Sequence, residues 1–209
     1  EALAGLLGRL GYQARVEGCV CHLNPALVWA VHSFCLMLGG LWGVTNPGAG
    51  LALTLLTILS LHGEAAYRRR IFRWLLPKGI SSNLIARKVV DKDEDRPCVL
   101  FVAHGDVARR GLIHNSWFRR FFHGADSSFK VHPMRLALEI GWVQVVLIAL
   151  RLPGIHLEWL DRLLLVPVVV FAAVALLALD WSLPRPARGA NDNGSGLAVL
   201  AALAEYFSS

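Results

Sequence analysis

Apolar and polar positions change rhythm several times along this chain. Leu3, Leu6, Leu7 and Leu10 recur at helical spacing and form one apolar face, and Gly11 is the natural stop for that helix. Residues 12–17 then alternate: Tyr12, Ala14 and Val16 are apolar, while Gln13, Arg15 and Glu17 are polar. That period of two predicts a half-buried strand. Residues 18–63 contain no Asp, Glu, Lys or Arg. A helix needs about 20 apolar residues to cross a bilayer, and this stretch holds two such segments, roughly 26–43 and 48–62, joined at Asn46-Pro47-Gly48. A helical hairpin in the membrane follows. Because the second segment is short, a buried helical pair in a soluble protein stays open as the alternative.

The second half repeats the theme after a polar interlude. Residues 83–90 read as a strand and Asp91-Lys92-Asp93-Glu94-Asp95 as a solvated turn. Residues 98–103, Cys-Val-Leu-Phe-Val-Ala, form a continuous apolar run of strand length. A run of this kind predicts a central strand of an α/β sheet, buried on both faces. Two more apolar segments follow at 136–150, which carries Glu139 and Gln144, and at 163–179, which is uncharged. Pro184 and Pro186 end any helix there, and Ser195 can cap a last helix over 196–207. That helix is apolar nearly all round, so it is expected to pack into a core. The predicted architecture is thus α/β, with a partial sheet and packed helices (1–18, 78–132 and 182–209) interrupted by two membrane hairpins (19–77 and 133–181).

Composition agrees with the membrane reading. Of the 209 residues, 55% are hydrophobic and 17% charged, against roughly 25% charged in soluble domains. The chain opens at Glu1 without a Met and stops within a helical pattern, as a fragment would, and residues 1–11 do not read as a signal peptide. The net charge of +6 gathers at Arg68-Arg69-Arg70 with Arg73, and at Arg109-Arg110 with Arg119-Arg120. These clusters flank apolar runs rather than a groove-reading fold, which favours an anionic membrane surface over nucleic acid. Residues 62–78 place Tyr67, Phe72 and Trp74 among the arginines, as suits the membrane interface. Lys and Arg are concentrated on the side of the hairpins that joins the non-membrane segments, while the opposite turns hold Arg151 and Arg162. The positive-inside rule then puts the α/β part on the cytoplasmic side.

Cys19, Cys21, Cys35 and Cys98 lack the paired spacing of a structural zinc site and read as free or buried thiols. His22, His32 and His62 lie in or beside apolar segments and read as core or interfacial residues. His114, His123 and His132 fall in a basic, aromatic stretch that reads as an amphipathic surface helix.

Two motifs carry chemistry. Ala103-His104-Gly105-Asp106 follows the predicted central strand. Ligands of open α/β sheets bind beyond the carboxyl ends of strands, so His104 is placed for a metal, and Asp106 is close enough to orient its imidazole. Gly189-Ala190-Asn191-Asp192-Asn193-Gly194-Ser195-Gly196 opens the last helix. Taken alone, each motif is equally well a turn or a helix cap.

Together and in this order, the motifs resemble metallopeptidase family 28, the co-catalytic di-zinc aminopeptidases. The Leu-Gly-Tyr turn at residues 10–12 and Ser82-Asn83-Leu84-Ile85-Ala86 are similar to further pieces of that family. The resemblance covers about 1–17, 81–106 and 189–207 and leaves out the apolar pairs. It implies that His104 binds one zinc, that Asp192 bridges two, and that Asp106 is the catalytic-site aspartate behind His104. Two zincs about 3.5–4 Å apart would polarise a peptide carbonyl and activate a water. The family's Glu-Glu pair, further Asp and late His have no match: Glu205 is the one acidic residue after Asp192, and no His follows. Catalytic zinc normally has three protein ligands, so this chain alone is expected to be inactive.

Three readings therefore stand. The chain belongs to a membrane-embedded zinc aminopeptidase acting on peptide substrates, or it is a non-catalytic peptidase-like binding or assembly module, or it is an unrelated multi-pass protein whose motifs are turns. The last would lose ground if residues 98–103 proved to be a central strand with His104 and Asp192 adjacent in space.

Overall fold

The computed structural model describes residues 2–22, 24–66, 71–88, 99–104, 111–115, 117, 133–154, 157–183 and 193–208. These fall into two compact units: residues 1–23, 78–110 and 184–209 make one, residues 24–77 and 111–183 the other. Among the described residues helices dominate, with one two-stranded antiparallel sheet.

The second unit is a bundle of α2 (Pro25–Thr45), α3 (Pro47–Ala65), α4 (Pro133–Ala149) and α5 (Glu158–Ser182). An Asn-Pro pair opens each of the first two helices. Asn24 Oδ1 accepts from the Leu27 amide at 3.3 Å, and Asn46 Oδ1 from the Ala49 amide at 3.1 Å, with proline in the first turn of each helix. Proline is tolerated there because its missing N–H has no intrahelical partner to lose. Asn46 also closes α2, its own N–H donating to the Trp42 carbonyl at 2.6 Å. One residue thus ends one helix and begins the next, which makes the hairpin tight.

Helices α2, α3 and α5 are long and apolar enough to cross a membrane. The 21 residues of α2 span about 30 Å at 1.5 Å per residue, the thickness of a bilayer's hydrocarbon core. Helix α4, expected as a further span, has 17 residues and is the shortest of the four. It carries Gln144 into the bundle centre, where Nε2 donates to the Leu36 carbonyl at 2.8 Å and to Thr54 Oγ1 at 3.0 Å. In an apolar bundle each polar group must find such a partner within the protein.

Glycines let the helices approach. A Cβ on Gly39 would strike Thr54 of α3, one on Gly40 would strike Val168 of α5, and one on Gly43 would lie 2.7 Å from Ile148 of α4. Gly50 of α3 faces the backbone of Gly39 and Gly43. This is the small-residue packing by which membrane helices gain close van der Waals contact.

The bundle's two ends differ. At one, the carbonyl of Ser182 accepts from Asn24 Nδ2 at 3.0 Å, and Asp180 accepts from the Leu112 amide at 2.6 Å in a short 3-10 turn, Leu112–His114. At the other, Arg151 is buried, pairs with Asp161, and donates from Nη2 to the Val44 carbonyl at 2.7 Å. Arg162 pairs there with Glu158 at 3.4 Å, so Arg151 and Arg162 are both neutralised locally.

The first unit holds α1 (Ala2–Arg9), β1 (Gln13–Cys21), β2 (Gly79–Arg87) and α6 (Ser195–Tyr206). The strands pair antiparallel with Gln13 opposite Arg87 and Cys21 opposite Gly79. Gly11, at φ +81°, takes the left-handed position that ends α1. Its N–H donates to the Gly8 carbonyl at 3.1 Å and that of Tyr12 to the Leu7 carbonyl at 3.0 Å, the pattern of a Schellman cap.

Two expectations need correction here. The described part of the apolar run, residues 99–103, is in no strand, and Leu100 is 83% exposed, so it is not a buried central strand among the described residues. Helix α6 buries none of its residues and does not enter a core. Among the described residues the two-stranded sheet offers little surface to cover an apolar run or an apolar helix.

The packing predicts opposite signs for two glycine substitutions. Gly50→Ala places a methyl 2.6 Å from the Gly39 carbonyl oxygen and the Gly43 Cα, backbone atoms that cannot turn aside; a loss of about 1–3 kcal/mol follows. Gly5→Ala in α1 meets nothing within 4 Å and gains up to about 1 kcal/mol from helix propensity. Unfolding titrations in mixed micelles read both.

Candidate functional site

His104 ends the described segment 99–104 of the first unit and is exposed. Several contacts attach that unit's segments to α6. The Tyr12 hydroxyl donates to the Ala204 carbonyl at 2.9 Å, and Lys88 Nζ donates to the Phe207 carbonyl at 2.6 Å. The rings of Phe101 and Phe207 stack with centroids 5.7 Å apart. A lysine at the last carbonyls of a helix also complements its dipole.

The start of α6 makes the link that matters for chemistry. Asn193 Nδ2 donates to the backbone carbonyl of His104 at 3.2 Å, and Asn193 Oδ1 accepts from the Gly196 amide at 3.2 Å. The carbonyl needs a donor and the amide needs an acceptor, so the side-chain amide of Asn193 has one satisfying orientation. Asn193 therefore ties the two motifs together across 89 positions of sequence. It also takes the capping role expected of Ser195, which is the first residue of α6. A Cβ on Gly196 would strike the Asn193 carboxamide, so any side chain there would displace it.

Asp106 and Asp192 lie outside the described residues, as do His123 and His132 of the proposed amphipathic helix. Asp192 directly precedes Asn193 in the chain. Among the described residues no three His, Cys, Asp or Glu side chains gather to hold a metal ion. Cys19, Cys21 and Cys35 are free thiols.

The bundle unit contains a second polar group that the sequence reading left as core. His32 is buried on α2. Its Nδ1 lies 2.7 Å from the Val28 carbonyl and its Nε2 2.9 Å from Ser60 Oγ on α3. The carbonyl can only accept, so Nδ1 carries a proton. In the neutral ring Nε2 then accepts from the Ser60 hydroxyl, whose oxygen in turn accepts from the Phe72 amide at 3.1 Å. One turn from Ser60, Glu64 binds Arg73 at two points, 3.1 Å to Nε and 2.6 Å to Nη2. No spacing in sequence marks this set, because its members come from two helices and a later turn.

The Asn193 link makes a specific forecast. Asn193→Ala removes both hydrogen bonds at a cost of about 1–3 kcal/mol. Asn193→Asp keeps the acceptor for Gly196 but sets a carboxylate against the His104 carbonyl, and is expected to be at least as harmful. Amide hydrogen exchange at the first turn of α6 should rise in both variants. No protein-family model, curated protein or solved structure matches this chain.

Proposed function

We propose that this chain carries part of the active site of a membrane-embedded, zinc-dependent aminopeptidase. The observation that supports this most is the hydrogen bond from Asn193 to the His104 carbonyl. It makes neighbours in space of two motifs that are each unremarkable as turns. The α/β fold proposed for the first unit is a partial aminopeptidase-like sheet, in which the β1–β2 pair and α6 are the described pieces.

The donor set suits zinc in kind: an imidazole from His104 and a carboxylate from Asp192 are both ordinary zinc ligands. Asp106 would hold the His104 ring in one tautomer, as carboxylates commonly do behind a metal-bound histidine. When bound, zinc would polarise the scissile carbonyl and lower the pKa of an attacking water. The task of Asn193 in this scheme is to fix the backbone at His104, so that its imidazole and the Asp192 carboxylate are held in register. A general base must take the water proton, and that group, with at least one further ligand, would be supplied from outside residues 1–209. The first unit is proposed to face the cytoplasm, on the evidence of the Lys and Arg that flank the membrane helices in sequence.

A non-catalytic module built on the same scaffold is the second reading, favoured by the lack of a three-ligand cluster among the described residues. Metal analysis of the purified full-length protein separates the two. The peptidase reading expects bound zinc and hydrolysis of amino-acid amides, with both lost in His104→Ala and Asp192→Asn at unchanged thermal stability of the bundle. A wild-type protein free of metal and inert toward such amides, or a His104→Ala variant that keeps its zinc, would sink it.

A further inference from the structure

The short turn that follows α3 is held rigidly on one side and left bare on the other. It is a 3-10 turn, Phe72–Leu75, beginning six residues after Ala66. Phe72 points inward: it is 6% exposed, its ring lies 5.0 Å from that of His32, and its amide donates to Ser60 Oγ. Arg73 is pinned by its two-point contact with Glu64, a residue of α3 that is itself buried. The next two residues point the other way, Trp74 at 80% and Leu75 at 79% exposure. A soluble surface seldom presents an adjacent Trp and Leu so fully, because together they leave a large apolar area in water.

We infer that this turn is an interfacial anchor, whose Trp74 and Leu75 insert at the headgroup level of an anionic phospholipid leaflet. Two observations choose that occupant. The turn begins seven residues after the end of a helix long and apolar enough to cross a membrane, so a lipid headgroup layer lies within a few residues of it in sequence. The intervening sequence includes Tyr67-Arg68-Arg69-Arg70, and each Arg near a negatively charged leaflet adds to the attraction. Arg73 adds little to this, since Glu64 already neutralises it. Its part is to position the turn. The indole has the right form for the place: its ring meets the upper acyl chains while its N–H meets headgroup oxygens. This inference rests on the bundle unit alone and does not depend on the peptidase reading.

Depth-dependent quenching tests it on the full chain in nanodiscs. The emission of Trp74 is taken as the difference between wild type and Trp74→Phe, a change at an exposed position that leaves the fold intact. The probes are phosphatidylcholine brominated on the acyl chain, with or without phosphatidylglycerol, and aqueous acrylamide. The anchor predicts that the brominated lipid removes most of the difference emission and that acrylamide removes little. It also predicts a further blue shift when phosphatidylglycerol is present. Emission that is open to acrylamide and blind to brominated lipid would overturn the anchor, and so would emission blind to both quenchers, which would mean a protein cover. Identical spectra in the two lipids would overturn the preference for an anionic leaflet.

Discussion

Helix α2 can occupy the centre of the bundle because it lacks side chains at Gly39, Gly40 and Gly43. Those three positions face α3, α5 and α4 in turn. Water-driven burial does little to join helices in a bilayer, since lipid tails are as apolar as Leu. What remains is close packing, and close packing is available only where the backbones can approach. The rest of the unit follows from that approach. Gln144 can reach the Leu36 carbonyl and Thr54 only because the helices lie this near.

Polar groups are the second determinant of the bundle. His32, Thr54, Ser60, Gln144 and Arg151 are all buried. Each joins one element to another rather than standing alone: His32 joins α2 to α3, Gln144 joins α4 to α2 and α3, and Arg151 joins the turn after α4 to α2 and α5. An ionisable group inside a membrane protein is costly unless partnered, and so fixes a register when it is. Glu64 and Arg73 extend the same logic to the end of the unit, where their pairing leaves Trp74 and Leu75 facing outward.

The first unit is organised differently. Among the described residues its sheet is narrow, and α6, which buries none of its own residues, is attached through Tyr12, Lys88, Phe101 and Asn193. Each such hydrogen bond to a backbone carbonyl contributes only about 1 kcal/mol net. The Asn193 amide therefore matters to this unit twice, as a cap for α6 and as the tie to His104.

The sequence alone determined the local features. Apolar runs marked the helices of the bundle, Asn46-Pro47 marked the hairpin turn, and Gly11 marked the end of α1, because these depend on hydropathy and backbone geometry that act over a few residues. Strand limits were less legible: β1 runs on to Cys21 and β2 begins at Gly79, since pairing between them, not the alternation of either, sets where they stop. The apolar run at 98–103 reads like a buried strand, yet Val99, Leu100, Phe101 and Val102 are exposed, because burial depends on what lies across from a segment. Only the tertiary structure could place Phe72 inward and Trp74 outward, pair Ser60 with His32, or bring Asn193 to His104. Those outcomes are contacts between residues distant in the chain, and no local pattern encodes a contact whose partner is elsewhere.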